Sequence, residues 1–104
     1  MQVPVRTTPQ AEVQAEEAAA WWRVNRPAAP TLFADELAGA LDLLGGAPDL
    51  GRRYRRVRIP GLRRLLLPVT LYHVYYVHDV RAAECVVLAV WSALRGRLPR
   101  LRRP

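Results

Sequence analysis

Two imidazoles and one thiol, His73, His78 and Cys85, are the first residues to weigh for chemistry in this 104-residue sequence. Zinc needs several converging ligands at short paired spacings, and this set has no such pattern, so no metal site is expected. His73 lies nearest the basic residues. It titrates near neutral pH and suits general acid or base work, although a histidine on a strand surface is the commoner reading. Cys85 has no nucleophile context and reads as a small buried apolar residue. Ser92 follows Trp91 with no glycine-flanked elbow, which argues against a serine hydrolase. Gly45 and Gly46 form a helix stop rather than a phosphate loop, so no cofactor is expected. Tyr72, Tyr75, Tyr76 and Trp91 have faces on which bases stack, with Tyr75 and Trp91 the better placed, though aromatic strand residues are more often core.

The charge is uneven. Residues 1–50 hold three Arg against seven carboxylates, a net −4. Residues 51–104 hold thirteen Arg against two carboxylates, a net +11. All sixteen basic residues are Arg. A basic half of this kind seeks polyanions or an acidic protein partner, and the plainer role is solubility. One cysteine permits no internal disulfide and fits a reducing compartment. The start, MQVPVRTTPQ, lacks an apolar signal core, and the longest apolar run, Cys85 to Trp91, is too short to span a bilayer. A soluble, cytoplasmic protein with no membrane contact is expected.

These residues need elements to hold them. The length fits a single domain over residues 1–104. Residues 1–7 alternate weakly around Pro4 and suggest an edge strand or arm. Residues 8–46 read as a helical hairpin. Thr8 and Pro9 start the first helix, which runs to Asn25 with Ala11, Ala15, Ala18 and Trp22 on one stripe. The second helix starts among Pro27 to Pro30, with Phe33, Leu37, Ala40, Leu41 and Leu44 as its apolar stripe. Gly45 and Gly46 end it, and Pro48 blocks a restart. Asp49 to Pro60 is a basic loop with some strand pairing.

Residues 61–91 form a β-meander: Leu62 to Leu67, Leu71 to His78 and Glu84 to Trp91. Period-2 alternation places Tyr72, Val74 and Tyr76 on one face and His73, Tyr75 and Val77 on the other. Val86, Leu88 and Val90 are expected beside the Tyr72 face, under the helices. The face bearing His73 and Trp91 is then open or covered by a partner. Residues 92–104 are a basic tail, expected to be mobile when the chain is alone. The order β-α-α-β-β-β predicts an α+β domain: a mostly antiparallel twisted sheet with a helical hairpin on one face.

Four strings in this order carry a family resemblance: AWWRVNRP, FADELAGALDLL with its glycine stop, RRLLLPVTLYHVYYVHD, and VLAVWSALRGRLPRL. Over nearly its whole length the chain resembles the RelE/ParE superfamily of small toxins from type II toxin–antitoxin pairs. The resemblance implies helices backing a curved sheet, and a cognate antitoxin that holds the toxin inactive. It also implies two activities. RelE-like members cut messenger RNA in the ribosomal A site, and ParE-like members inhibit DNA gyrase.

The cleaving set matches poorly. The basic residue that cleaving relatives carry on the second meander strand falls on His73. Arg64 is present on the preceding strand, but the second basic position falls near Leu66. Relatives often have His where Ser92 stands. Arg95 and Arg97 are present, but no C-terminal Tyr follows. If the chain is RelE-like, Arg64, His73, Arg95 and Arg97 are its catalytic candidates. The better-matched expectation is a ParE-like, non-enzymatic gyrase inhibitor that causes growth arrest. Arg64, His73, Tyr75, Trp91, Ser92, Arg95 and Arg97 would then meet target and antitoxin. A non-toxic, basic nucleic-acid-binding module is the remaining alternative.

Overall fold

Hydrogen bonding at Thr8 sets the first helix. In the computed structural model, which describes residues 2–104, the Thr8 hydroxyl accepts from the Ala11 N–H at 3.2 Å. Pro9 follows in the first turn, where its missing donor costs nothing. Helix α1 runs Pro9–Asn25 and closes with the Arg26 N–H on the Trp22 carbonyl at 2.9 Å. Its stripe is the expected one: Ala11 and Ala18 are buried, and Ala15 and Trp22 pack beside them.

Helix α2, Leu32–Gly46, begins later than expected. Pro27 and Pro30 stand in the turns before it, not in its first turn. Thr31 precedes the helix, but its hydroxyl bonds the Asp35 carboxylate at 3.0 Å instead of a backbone N–H. Phe33, Ala40 and Leu44 are buried, with Leu37 and Leu41 alongside. The end also differs from expectation. Gly46 remains helical, and Ala47 closes the helix at φ −143°, so no left-handed glycine stops it. Gly45 serves close packing instead. A Cβ there would lie 3.2 Å from the Val3 carbonyl oxygen, and the Val3 N–H donates to the Gly45 carbonyl at 2.7 Å.

The strands are β1 (Val5–Thr7), β2 (Arg52–Arg53), β3 (Leu62–Leu67), β4 (Tyr72–Asp79) and β5 (Glu84–Ser92). They form one mixed sheet in the order β1-β5-β4-β3-β2. β1 pairs parallel with β5, and the other neighbours are antiparallel. The α+β class is as expected, with β2 as an added short edge strand. Pro4 precedes β1, so the edge strand keeps its ladder donors. The β3–β4 turn needs Leu71 at φ 61°. Glu36 of α2 steadies that turn, accepting from the Val69 N–H, the Thr70 N–H and the Thr70 hydroxyl at 2.8, 2.9 and 2.6 Å.

One bulge decides the faces. Tyr75 pairs with Ala89, but Tyr76 pairs with Val87, so Leu88 is the extra residue in β5. Alternation therefore breaks inside the strand. Cys85, Val87 and Val90 pack under the helices with Val74 and Tyr76. Val86 and Leu88 lie on the other face with Tyr75, Val77 and Ala89. Of the three β5 residues expected under the helices, only Val90 is there.

The second face is not open. Tyr54 and Ile59, from the segment between β2 and β3, cover it, and Val57 and Leu101 pack against the same cluster. The tail is laid down rather than free. Pro99 is buried, the Gln10 side chain donates to the Arg100 carbonyl at 2.6 Å, and the Trp91 indole donates to the Arg97 carbonyl at 2.9 Å.

Candidate functional site

Arg64 and His73 reach the second face from β3 and β4. The Arg64 guanidinium stands 4.6 Å from the Tyr54 ring centroid. Tyr54 meets Tyr75 edge-on at 5.5 Å, and His73 meets the same Tyr75 at 5.9 Å. Arg52, Arg53, Tyr54, Arg64 and His73 line one cavity of about 500 Å³. Burial, and then the Arg64 charge, push the His73 imidazole below its usual value. Both effects favour the uncharged ring, which can accept a proton or a hydrogen bond.

Tyr75 is 1 % exposed. It lies beneath Tyr54 and His73 and offers no face to a base, contrary to the sequence expectation. Its part is to hold those two rings from below. The Tyr54 hydroxyl, in turn, is buried without a partner among the described residues.

Trp91 holds a second group. His73 and Trp91 are opposite one another across the β4–β5 ladder. Arg95 stacks on the indole at 4.1 Å, and Arg97 stands 5.7 Å from the same ring. Such cation–π contacts fix guanidiniums without neutralising them. Ser92 points elsewhere. It pairs with Tyr72, on the helix side, and its hydroxyl accepts from the Leu94 N–H at 3.2 Å. It joins Trp22, Arg26, Leu71, Trp91 and Arg95 around a cavity of about 580 Å³. Trp21 is half exposed there, and Arg26 lies over both Trp21 and Trp22, 5.0 and 5.6 Å from their centroids. The Trp22 indole N–H is buried and unpartnered among the described residues. The seven expected residues thus divide. Arg64 and His73 share one basic cavity over Tyr75, whereas Trp91, Ser92 and Arg95 edge an aromatic groove, with Arg97 beside Trp91.

Other candidates resolve plainly. Among the described residues no group of three His, Cys, Asp or Glu is placed to hold a metal. His78 Nδ1 lies 3.5 Å from Asp49, which also lies 3.5 Å from Arg63. Cys85 is buried, and burial pushes its thiol up, away from the nucleophilic form. Arg52, Arg53, Tyr54 and Arg26 were not singled out from sequence. The signal for the first three was the string DLGRRYRRVRIP, whose folding back onto the sheet has no periodic signature.

A helix-backed mixed sheet edged by guanidiniums and indoles defines a small α+β protein. Residues 5–96 match the family described as ParE toxin of the type II toxin–antitoxin system parDE. The chain belongs to that family, and hence to the type II toxins of the ParE/RelE superfamily. No curated protein matches the sequence. Among solved structures, the chromosomal ParDE system from P. aeruginosa superposes with a TM-score of 0.69 at 16% identity, covering 88% of this chain and 96% of that one. The toxin–antitoxin complex RelBE2 from Mycobacterium tuberculosis gives 0.64 at 20% identity, covering 88% and 99%. A mutant of the E. coli toxin RelE in the free state gives 0.58 at 17% identity, covering 90% and 86%. At such identities the likeness is one of fold. Among the described residues no helix is long and apolar enough to cross a membrane.

Proposed function

We propose that this chain is a ParE-type toxin that binds and inhibits DNA gyrase and is held inactive by a cognate antitoxin. The match of residues 5–96 to ParE toxins carries the reading. The site chemistry supports it. Cleavage of an RNA backbone needs a base for the 2′-hydroxyl and charge stabilisation at the phosphorane. His73 is the one imidazole beside Arg64, while Tyr75 is buried and Ser92 faces the helices. In this reading Trp91, Arg95 and Ser92 form the rim of an aromatic groove for protein. Arg97, Arg64 and His73 extend the contact, and Tyr75 supports it from beneath. Stacked guanidiniums meet carboxylates bidentately, which suits an acidic antitoxin segment. Induction of the chain in growing cells should give DNA breaks and growth arrest, relieved by co-expression of the antitoxin. Early arrest of translation with intact DNA would contradict it.

One observation favours a second reading, a RelE-like ribosome-dependent endoribonuclease. His73 shares a cavity with Arg52, Arg53 and Arg64, an arrangement of one imidazole among cations. Arg64, His73, Arg95 and Arg97 would be its working residues. It predicts new messenger RNA ends within codons on induction, lost in Arg64→Ala and His73→Ala.

A further inference from the structure

The segment between β2 and β3 and the last residues of the chain are about forty positions apart, yet both are runs of arginine. The fold brings them together. Arg53, Arg55, Arg58 and Arg103 line one groove of about 320 Å³. All four are exposed, and none is paired with a carboxylate among the described residues. No carboxylate lines the groove among the described residues either.

The groove is pinned, not improvised. The Tyr54 N–H donates to the Leu62 carbonyl at 3.0 Å, and the Leu62 N–H donates to the Ile59 carbonyl at 3.2 Å. Tyr54 and Ile59 are buried beneath it, and Leu101 packs on the same cluster, which brings Arg103 to the rim. Apolar anchoring thus holds four like charges together against their repulsion. Cations held this way are offset by an anion that bridges them. The Tyr54 ring, whose hydroxyl lacks a partner among the described residues, stands in the wall.

We infer that this groove takes the phosphodiester backbone of a nucleic acid. A protein partner fits it poorly, because protein interfaces place apolar and aromatic side chains at their centre. Here the apolar wall residues Ile59 and Leu62 are already buried, and only Val57 and Pro60 leave apolar surface beside the arginines. The exposed Trp21, Leu71 and Leu94 lie around the aromatic groove beside Arg95. The two surfaces therefore sort by chemistry: an aromatic one for protein and one whose only charged groups are cations for phosphate. The matched family region ends at residue 96, so Arg103 lies beyond it. The inference goes beyond the proposed function and holds for either target, since binding a backbone is not cleavage.

The test is fluorescence anisotropy of the full chain with a labelled 20-base-pair DNA duplex and, separately, a 20-nucleotide RNA, from 50 to 200 mM salt. Four phosphate contacts on duplex DNA predict a log–log slope of about −3.6, which weakens binding roughly a hundredfold across that range. Arg55→Ala with Arg58→Ala should reduce the slope by about two, and Arg103→Ala by about one. The Lys versions, which keep the charges and check the fold, should leave it unchanged. Arg23→Ala with Arg81→Ala removes the same net charge elsewhere and should leave the slope in place. Whether duplex or RNA binds more tightly identifies the source of the phosphates. Equal losses from the two double variants, no binding at 50 mM salt, or a polyglutamate peptide competing as strongly as the nucleic acid would each overturn the inference.

Discussion

His73 shows how one residue reports on its surroundings. Its folded value is lowered first by burial and then by Arg64. Because the unfolded chain binds the proton more readily, stability from this group is present above the ordinary value of 6.5 and is lost as pH falls through the folded value. Arg64→Ala removes only the second cause. The imidazole should then titrate at higher pH than in the parent chain, yet still below its ordinary value, as read from its ring-proton NMR shifts. No change would mean that Arg64 does not face the ring. The type and strand of His73 were legible from alternation. Its neighbour Tyr54 was not, because a two-residue strand and a turn leave no period to read.

At the scale of elements, Glu36 ties α2 to the β3–β4 turn. Burial pushes its carboxyl up, but the bonds from Thr70 and Val69 outweigh that and hold it below its ordinary value. Its contribution is therefore present above the unfolded value and is lost as pH falls through the folded one. Glu36→Ala leaves two backbone donors and a hydroxyl without this acceptor, and should cost about 1–3 kcal/mol in urea unfolding at neutral pH. The loss should shrink in acid. An unchanged midpoint at neutral pH would show that the turn stands without its cap. The helices and β4 were readable because each keeps its period over many residues, and β5 was readable as a strand from its unbroken apolar run. The faces of β5 were only half readable. Continuous apolar character from Cys85 to Trp91 hides a bulge, and one extra residue at Leu88 sends Val86 to the side opposite Val90.

At the scale of the whole molecule, the tail is what sequence reasoning misplaced. Leu98, Pro99 and Leu101 among arginines resemble a solvated end, but Pro99 is buried and Leu101 packs against the cluster that contains Val86 and Leu88. Truncation after Arg97 should uncover part of that cluster, lowering stability by about 1–3 kcal/mol and raising the binding of an apolar dye. A truncated chain with the parent's unfolding midpoint would show that the tail does not cover the sheet. The family strings were legible because they fall mostly in the helices and the meander, and only the last of them runs on into the tail. The covered face was not, because its cover comes from two irregular segments distant in sequence.

The most direct measurement of the central claim is supercoiling of relaxed plasmid by purified DNA gyrase with ATP and increasing amounts of the purified chain. A ParE-type toxin should abolish supercoiling, accumulate linear cleaved plasmid, and lose both effects when its antitoxin is added. Undiminished supercoiling at a large molar excess of the chain, with messenger RNA cut in a ribosome mixture containing the same preparation, would contradict the claim.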